Sequence, residues 1–452
     1  MQYNESTPGD VPPEHGRASD PGSGSVTDTD RLSVPLWRSN SFVNLWASDS
    51  ALDLARQSSI VVIPLVGALT LGANPLQMGI LGAATSAPSL LISLFAGVWV
   101  DRLPRRPTMV ATSLVRVALV ALIPLLWWLG LLNIWLLIGI AFLTGTMSLI
   151  FELCRLAWLP QIVGRPRLAD ANGKMEATRS VAQTGGPLVG GGAAGVVGPP
   201  LAMLVDAFSS LLSALFAGRI RHPDRSHAQA PARRAMLQQA AEGLRVSLRN
   251  PILRATIGAS GMNNMFGHVF LAVYVLYMAN VLGLTSFEIG LVFGVGGIGA
   301  LIGSLAASRL SARFGVGRTI TVAWLFFGLG GLPIPLAFLV PEYALILVVA
   351  SEFVQWMVLP IADVNQLSLR QAITPDQYLG RVSASYRFIV YGLVPVGSLI
   401  GGGLGTLIGL QATLLVGVFG MLVAFVWIAL SPVRAIESFP AEPQDLMPAP
   451  GD

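Results

Sequence analysis

The sequence predicts an all-α membrane protein with twelve transmembrane helices arranged as two similar six-helix bundles. Only 12% of its 452 residues are charged and 53% are hydrophobic, whereas soluble proteins contain about 25% charged residues. A helix needs about 20 mainly apolar residues to cross the hydrocarbon, because its backbone polar groups must be satisfied within the segment. Twelve such runs are present, and the first six share a pattern of arginine, proline and glycine with the last six.

The apolar runs and the polar breaks between them divide the chain into five parts. Residues 1–37 are rich in Pro, Gly, Ser, Asp and Glu and lack the pattern of a signal peptide, so we expect a disordered cytoplasmic tail. The other parts are a first bundle at 38–218, a cytoplasmic connector at 219–252 with a surface helix near 236–248, a second bundle at 253–433 and a cytoplasmic tail at 434–452. The predicted spans are 42–69, 76–100, 108–130, 134–158, 174–197, 200–218, 253–282, 286–308, 318–340, 344–367, 378–404 and 408–431.

The positions of the basic residues predict the orientation in the membrane, because arginine and lysine keep short loops on the cytoplasmic side during insertion. The basic residues fall in alternate loops, for example at Arg102, Arg105, Arg106, Arg309 and Arg313. No Lys or Arg is present in the intervening loops 70–75, 131–133 and 405–407. We therefore expect a bacterial inner-membrane protein with both termini in the cytoplasm. These loops also account for the net charge of +4, so no nucleic-acid partner is expected.

An internal repeat relates the two predicted bundles. Arg179 is followed eight residues later by a proline and then by glycines 190–192. Arg387 is likewise followed eight residues later by a proline and then by glycines 401–403. The offset between the two arginines is 208 residues, so the fifth and eleventh spans correspond. This parallel repeat is typical of a duplicated transporter architecture.

Several stretches resemble a known family. The loop after the second span reads Gly97-Val-Trp-Val-Asp101-Arg102-Leu-Pro-Arg105-Arg106 and resembles the loop signature of the major facilitator superfamily. Gly186-Pro187-Leu-Val-Gly190-Gly191 resembles the core of that superfamily's antiporter motif, with Ala182 in place of its preceding glycine. Similarity to the drug:proton antiporter branch, which includes macrolide-efflux and enterobactin-exporter-like proteins, is carried by residues 159–163, 168–172, 178–183 and 380–387.

The resemblance covers residues 38–433 and implies the major facilitator fold. It also implies a secondary active transporter that exports drug, antibiotic or siderophore-like molecules by proton antiport with alternating access. Its partners would be a small-molecule substrate, protons and the lipid bilayer, and we expect a monomer without cofactor or metal. A proton-symport importer of a nutrient or metabolite is the alternative within the same fold. An enzyme is disfavoured because the sequence lacks paired-histidine metal spacing and a phosphate-binding loop, and a receptor because no room is left for a sensing domain.

The resemblance assigns gating roles to two groups of first-half residues. Gly97, Asp101, Arg105 and Arg106 would form a latch that holds the cytoplasmic side closed, the alternative being loop charges that only set topology. In the second half, Ala307 and Ser308 stand where an acidic residue would be expected, so the latch role is assigned only to the first-half loop. The second group would form a bend that seals the periplasmic side against the eighth span or a similar partner, the alternative being generic helix packing. This group consists of Gly186, Pro187, Gly190 and Gly191, with Arg179 and Arg387 as the repeated arginines.

Ionisable residues inside the first-half spans are candidate coupling or cavity residues, because each costs about 2.5–3.5 kcal/mol in mid-bilayer unless it faces a cavity or a partner. Asp49, Asp53 and Arg56 are spaced by four and three residues, which places them on one helical face. One of the deeper two would line the cavity, or Asp53 and Arg56 would form a structural ion pair. We interpret a second set mainly as a salt-bridge cluster, namely Glu152, Arg155, Glu176 and Arg179.

Candidate residues in the second half lie in the seventh and tenth spans. Asn263 and His268 occupy mid-depth positions, where a lone histidine is more often a packing residue than a proton carrier. Glu352 lies near the bilayer centre and could take up a proton. Our order for the coupling acid is Asp53, then Glu352, then Asp49. We also expect aromatic side chains to line an apolar cavity, with Phe266, Tyr274, Tyr277, Trp356 and Tyr386 as candidates.

Overall fold

A computed structural model describes residues 36–91, 103–222 and 244–440, and within these residues the chain forms helices and no β-strand. The described part contains twelve long helices. The first six are α1 (Asn40–Leu65), α2 (Pro75–Leu91), α3 (Arg105–Trp128), α4 (Ile134–Val163), α5 (Leu168–Val197) and α6 (Pro199–Arg219). The last six are α7 (Pro251–Asn280), α8 (Ser286–Phe314), α9 (Val316–Gly331), α10 (Ala344–Ile373), α11 (Asp376–Leu407) and α12 (Leu410–Ala429).

Polar side chains cap several helix starts, where backbone N–H groups lack an intrahelical acceptor. Asn250 accepts hydrogen bonds from Ile252 N and Leu253 N at the start of α7. A capping box begins α8, in which Thr285 accepts from Glu288 N and the Glu288 carboxylate accepts from Thr285 N. These caps fix the first turn of both helices.

The helix boundaries differ from the predicted spans by six residues or more at four places. α5 begins at Leu168 instead of residue 174, α8 continues to Phe314 instead of residue 308, and α10 continues to Ile373 instead of residue 367. The predictions stopped at charged residues, but a helix can continue as regular backbone beyond the apolar part of its sequence. The predicted span 318–340 agrees with the run Val316–Leu339, which is long and apolar enough to cross a membrane, but its helix is broken: α9 ends at Gly331 and is followed by Pro333–Leu336 and two short 3₁₀ turns. Proline lacks the N–H that would continue the helix and clashes with the preceding turn.

Ten of the described helices are long and apolar enough to cross a membrane. The two helices outside this set are α2, of which 17 residues are described, and α5. The first half of α5 carries several charged residues, including Asp170, Lys174 and Glu176. The protein is therefore an all-α polytopic membrane protein.

Helix packing divides the molecule into a first half (α1–α6) and a second half (α7–α12). In the first half, α1 packs against α5 and α6, and α3 packs against α4 and α6. In the second half, α7 packs against α11 and α12, and α10 packs against α8 and α9. The main contacts between the halves pair α5 with α8 and α2 with α11.

The two faces of the molecule differ in how the halves meet. We call the face at which α6 ends and α7 begins the connector face, and the other one the opposite face. Toward the opposite face, one hydrophobic core joins side chains of both halves, such as Leu81 and Tyr274. Toward the connector face, each half has a separate core, one around Phe151 and Trp158 and the other around Trp324. We infer from these separate cores that a cleft between the halves opens at the connector face.

Candidate transport pathway and charge clusters

Two contacts between glycines close the cleft toward the opposite face. A Cβ atom on Gly290 of α8 would lie 2.6 Å from Cα of Gly191 in α5. A Cβ atom on Gly79 of α2 would lie 2.7 Å from Cα of Gly402 in α11. The two contacts involve corresponding helix pairs of the internal repeat, since α2 and α5 correspond to α8 and α11. Gly290 lies 211 positions after Gly79 and Gly402 lies 211 positions after Gly191, three more than the offset between Arg179 and Arg387. Only glycine permits helices to approach this closely.

The glycine-rich segment of α5 contacts helices on two sides. Gly186 and Gly190 face α1, where the Ser58 hydroxyl donates to the Gly186 carbonyl at 3.1 Å and a Cβ on Gly190 would lie 2.9 Å from Ser58 O. Gly191 faces α8, as described above. Pro187 lies between these positions, and its carbonyl oxygen is 3.0 Å from where a Cβ on Gly290 would lie. The segment that was expected to contact the eighth span does so at Gly191.

A polar pocket opens in the first half, between α1, α4 and α5. Its lining consists of Asp49, Asp53, Arg56, Glu152, Arg155, Met175, Glu176 and Arg179. Sequence spacing predicts that the three α1 residues share a face, and all three line this pocket. The pocket also contains the four residues interpreted as a second cluster, so the structure joins two groups that the sequence left separate. It has four acidic residues against three arginines, an excess of one negative charge when all are ionised.

Two of the ion pairs in this pocket join α1 to α4. Arg155 Nε of α4 lies 2.9 Å from Asp49 Oδ1 of α1. Arg56 of α1 contacts two acids, with Nη2 2.9 Å from Asp53 Oδ1 and Nη1 3.6 Å from Glu152 Oε2. Arg56 thus contacts two carboxylates at once, and loss of its charge would leave both without their shared cation.

Glu352 of α10 is an acid held by neutral donors. Its side chain is 4% exposed. The Tyr274 hydroxyl donates to Oε2 at 2.9 Å, and the Trp356 indole N–H donates to Oε1 at 2.8 Å. No arginine or lysine forms an ion pair with Glu352 in the described part of the chain. A carboxylate buried without a cation is costly in its charged form, so protonation relieves the cost of burial.

A third charged group, missed from the sequence, lies in the interior of the first half. Arg116 of α3 is 4% exposed and Asp206 of α6 is 1% exposed. Their side chains form a bidentate pair, with Nε 3.0 Å from Oδ1 and Nη2 2.5 Å from Oδ2. Ser59 and Ser210 donate to the same carboxylate, and Arg116 donates to Ser148 Oγ at 2.7 Å. The rule that singled out Asp53, a charged residue inside an apolar span, also applies to Arg116 and Asp206 and would have found them.

Comparison with known families agrees with this architecture. Residues 47–396 match the family described as the Major Facilitator Superfamily, and a second match covers residues 269–449. The chain belongs to the major facilitator superfamily. It is therefore a transporter of this superfamily, as the resemblance in the sequence implied.

Two curated relatives of this transporter match most of its length. The multidrug efflux pump Tap of Mycolicibacterium fortuitum is 28% identical over 356 residues, which cover 76% of this chain and 84% of Tap. The uncharacterized MFS-type transporter y4rN of Sinorhizobium fredii is 26% identical over 377 residues, which cover 81% of this chain and 89% of the relative.

Solved structures share the fold of the transporter at low sequence identity. A bacterial homologue of the iron transporter ferroportin in its inward-facing state superposes with a TM-score of 0.69 at 15% identity, over 88% of this chain and 99% of that one. The same kind of homologue in its outward-facing state gives a TM-score of 0.55 at 17% identity, over 88% of this chain and 99% of that one. The inward-facing state gives the higher TM-score.

The expected latch of the transporter falls largely outside the described residues. Gly97 and Asp101 lie outside them. Arg105 is buried in the first turn of α3, and Arg106 donates to the carbonyl of Gly218 at the end of α6. The pairing of Asp101 with Arg105 therefore stays a prediction.

The two repeated arginines of the transporter occupy exposed positions near the connector end of their helices. Arg179 lies 3.9 Å from Glu176 one turn earlier on α5, and its side chain is 45% exposed. Arg387 is exposed on α11.

Other predicted second-half residues have packing roles in this structure. His268 is partly buried and its Nδ1 lies 2.8 Å from the carbonyl oxygen of Asn264 one turn earlier, while Asn263 is buried. The expectation that Tyr274 and Tyr277 line the cavity is wrong here, because both are fully buried in the core near the opposite face. Core packing removes these rings from the cleft, and periodicity alone could not distinguish the two environments.

Two further charged residues of α10 were missed from the sequence. Asp363 is exposed and interacts electrostatically with Arg370 two turns later. The Arg370 guanidinium lies over the Tyr386 ring of α11 at 3.8 Å from the ring centroid. This cation–π contact accounts for the position of Tyr386, which was expected to line the cavity.

Proposed function

We propose that this protein is a proton-coupled exporter that moves small organic molecules out of a bacterial cell across the inner membrane. Drugs, antibiotics and siderophore-like compounds are the substrate classes. The connector face and both termini lie in the cytoplasm, where the basic loops are found. A monomer operates by alternating access, in which the bundles 38–218 and 253–433 rock about the central cleft.

The environment of Glu352 is the observation that carries proton coupling. This carboxyl group has neutral donors on both oxygens and no cation partner among the described residues. It can therefore gain or lose a proton at a cost that depends on how far the cleft exposes it to water. Glu352 becomes the first candidate for the coupling acid, ahead of Asp53 and Asp49, because each of the latter pairs with an arginine at 2.9 Å.

The direction of transport is supported by the relative Tap, which is named a multidrug efflux pump. A cleft open at the connector face admits substrate from the cytoplasm when that face is cytoplasmic. The pocket around Asp49, Asp53, Arg56, Glu152 and Arg155 supplies charged groups on one wall of the route. Gly97, Asp101, Arg105 and Arg106 serve as the latch that closes this side after substrate has entered.

Accumulation of probe compounds in intact cells tests the proposed function. The chain is expressed in a bacterial host that lacks its own drug pumps, and the host is loaded separately with ethidium, a macrolide and a siderophore. Expression should lower the accumulation of at least one compound relative to the empty vector. A protonophore should restore that accumulation, because export depends on the proton gradient.

Three results would contradict parts of the proposal. Low accumulation that persists with the protonophore would exclude proton antiport. Raised accumulation on expression would favour the importer that the same fold supports. Equal accumulation of every compound, at a verified level of protein in the membrane, would remove these three classes as substrates.

A further inference from the structure

The connector-face end of the second half carries a groove with two arginines. Arg318 and Thr321 of α9 line it together with Arg434 and Ala435 of the segment that follows α12. Both arginines are exposed. Neither forms an ion pair with an acidic side chain in the described ranges. Two adjacent cations without an acid repel each other unless an anion is bound between them.

Backbone contacts hold these two arginines near each other. The N–H of Val316 donates to Glu437 O at 3.2 Å, and the N–H of Gly317 donates to Ile436 O at 2.8 Å. Gly317 lies so close to this segment that a Cβ atom there would be 2.8 Å from the carbonyl carbon of Arg434. Val433 is fully buried and anchors the segment. These backbone contacts therefore fix the positions of both arginines along the groove.

An apolar stripe continues from the groove along α9. Val322 and Phe326 are each 50% exposed and Leu329 is 41% exposed. Their spacing from Arg318 is four, eight and eleven residues, which places all four on one side of the helix. α9 packs mainly against second-half helices α8, α10 and α12, so this side faces away from the first half. At about 1.5 Å per residue, the distance along the helix from Arg318 to Leu329 is roughly 16 Å, comparable to a lipid acyl chain.

We infer that this groove binds an anionic phospholipid of the leaflet at the connector face. The phosphate would contact the two guanidinium groups and the Thr321 hydroxyl, which match its charge and hydrogen-bonding capacity. One acyl chain would lie along Val322, Phe326 and Leu329. The bound lipid would link α9 to the C-terminal segment and so stabilise the second half. A free phosphate ester offers the same anion without the acyl chain, and the stripe on α9 favours the lipid.

Native mass spectrometry of the purified full-length protein in neutral detergent tests this inference. Phosphatidylglycerol should bind at least tenfold more tightly than phosphatidylcholine to the first site. The variant Arg318→Gln/Arg434→Gln should weaken binding of the first phosphatidylglycerol about tenfold or more, since both cationic contacts to the phosphate are lost. The variant Arg309→Gln/Arg313→Gln removes the same charge from exposed positions at the end of α8 and should change binding by less than about twofold.

Two further measurements distinguish lipid binding from binding of a free anion and from misfolding of the groove. Glycerol 3-phosphate, at the concentration that saturates phosphatidylglycerol, should not displace the lipid. Arg318→Lys/Arg434→Lys keeps both charges and should retain the preference for phosphatidylglycerol, which a misfolded groove would not. The inference is overturned if both glutamine variants weaken binding equally, if wild type does not prefer phosphatidylglycerol, or if glycerol 3-phosphate competes as well as the lipid.

Discussion

Gly191 and Gly290 contact each other across the two halves so closely that neither position has room for a methyl group. Their helices, α5 and α8, meet there near the opposite face and stay close for two further turns, where a Cβ atom on Gly297 would lie 2.6 Å from Cα of Thr184. This contact must form and break in each transport cycle if the two halves rock. The steric requirement at this point therefore bears directly on transport.

Replacing Gly191 with alanine should slow transport. The added Cβ meets the backbone of Gly290, and overpacking of this kind costs about 1–3 kcal/mol, or roughly 5- to 150-fold in the population of the state closed at the opposite face. The rate of substrate efflux from proteoliposomes measures the effect. Gly192→Ala is the matched control, because no atom lies within 4 Å of its added Cβ. Equal rates for the two variants would show that the contact is not needed.

The equivalent substitution in the other contact, Gly402→Ala, should have a similar effect. Its Cβ would lie 2.8 Å from Cα of Gly79, so α2 and α11 would be forced apart. Gly403→Ala serves as its neighbour control, since its Cβ would meet nothing within 4 Å. The same efflux assay applies. Loss at Gly191 with full activity at Gly402 would show that closure depends on α5 and α8 alone.

Replacing Glu352 with glutamine should uncouple transport from protons. Glutamine keeps the size of the side chain and can still accept from Tyr274 or Trp356, but it cannot gain or lose a proton. We expect substrate exchange down its own gradient to continue, while efflux driven by an imposed pH gradient falls to background. Internal pH indicators in proteoliposomes report the proton flux. Glu342→Gln changes an exposed acid and serves as the control, which should leave both activities intact. If Glu352→Gln shows unaltered efflux driven by the pH gradient, Glu352 is not the coupling acid.

Arg56→Gln should be more damaging than Asp53→Asn. Arg56 contacts both Asp53 and Glu152, so its loss leaves two acids without their shared cation, whereas Asp53→Asn leaves Arg56 with Glu152. Loss of the shared cation should lower the free energy of unfolding by about 1–3 kcal/mol more than loss of the Asp53 charge. Thermal unfolding in detergent and efflux rate are measured together. The double variant Arg56→Gln/Glu152→Gln should recover part of the stability, and a further loss in that variant would contradict the shared role.

Asp206→Asn should destabilise the protein strongly. Arg116 would remain buried with a neutral partner, and removal of one member of a buried ion pair costs about 3–5 kcal/mol. The melting temperature in detergent should fall by several degrees, with lower yield from the membrane. Asp170→Asn breaks the exposed pair of Asp170 with Lys174 and should cost no more than about 1 kcal/mol. A melting temperature of Asp206→Asn as high as that of Asp170→Asn would show that the buried pair contributes little.

The fold was predictable from the sequence because hydropathy and loop charge act locally. Runs of apolar residues set the number of helices, and the family match supports the architecture that the motif around Gly186 indicated. Helix ends were less predictable. Charged residues mark where the hydrocarbon ends, but the hydrogen-bonded backbone of α8 continues past Arg309 and Arg313 to Phe314.

The candidate site was predictable only within single helices. Spacing placed Asp49, Asp53 and Arg56 on one face, and the structure agrees. It could not show that Arg155 pairs with Asp49 or that Glu152 shares Arg56, because those pairs depend on how α1 and α4 pack. The same limit applies to Tyr274, whose ring faces Glu352 in the core instead of the cleft.

The ion pair between Arg116 and Asp206 joins residues that lie 90 positions apart in the sequence. Ribosomes add about 5–20 residues each second, so α3 is made roughly 5–20 s before α6 supplies the carboxylate. During this interval the guanidinium in α3 costs about 2.5–3.5 kcal/mol if it stays near the bilayer centre. The early helices therefore depend on the insertion machinery, or on Arg116 reaching toward the membrane surface, until the sixth helix arrives. The order of synthesis makes α6 the helix that completes the first half.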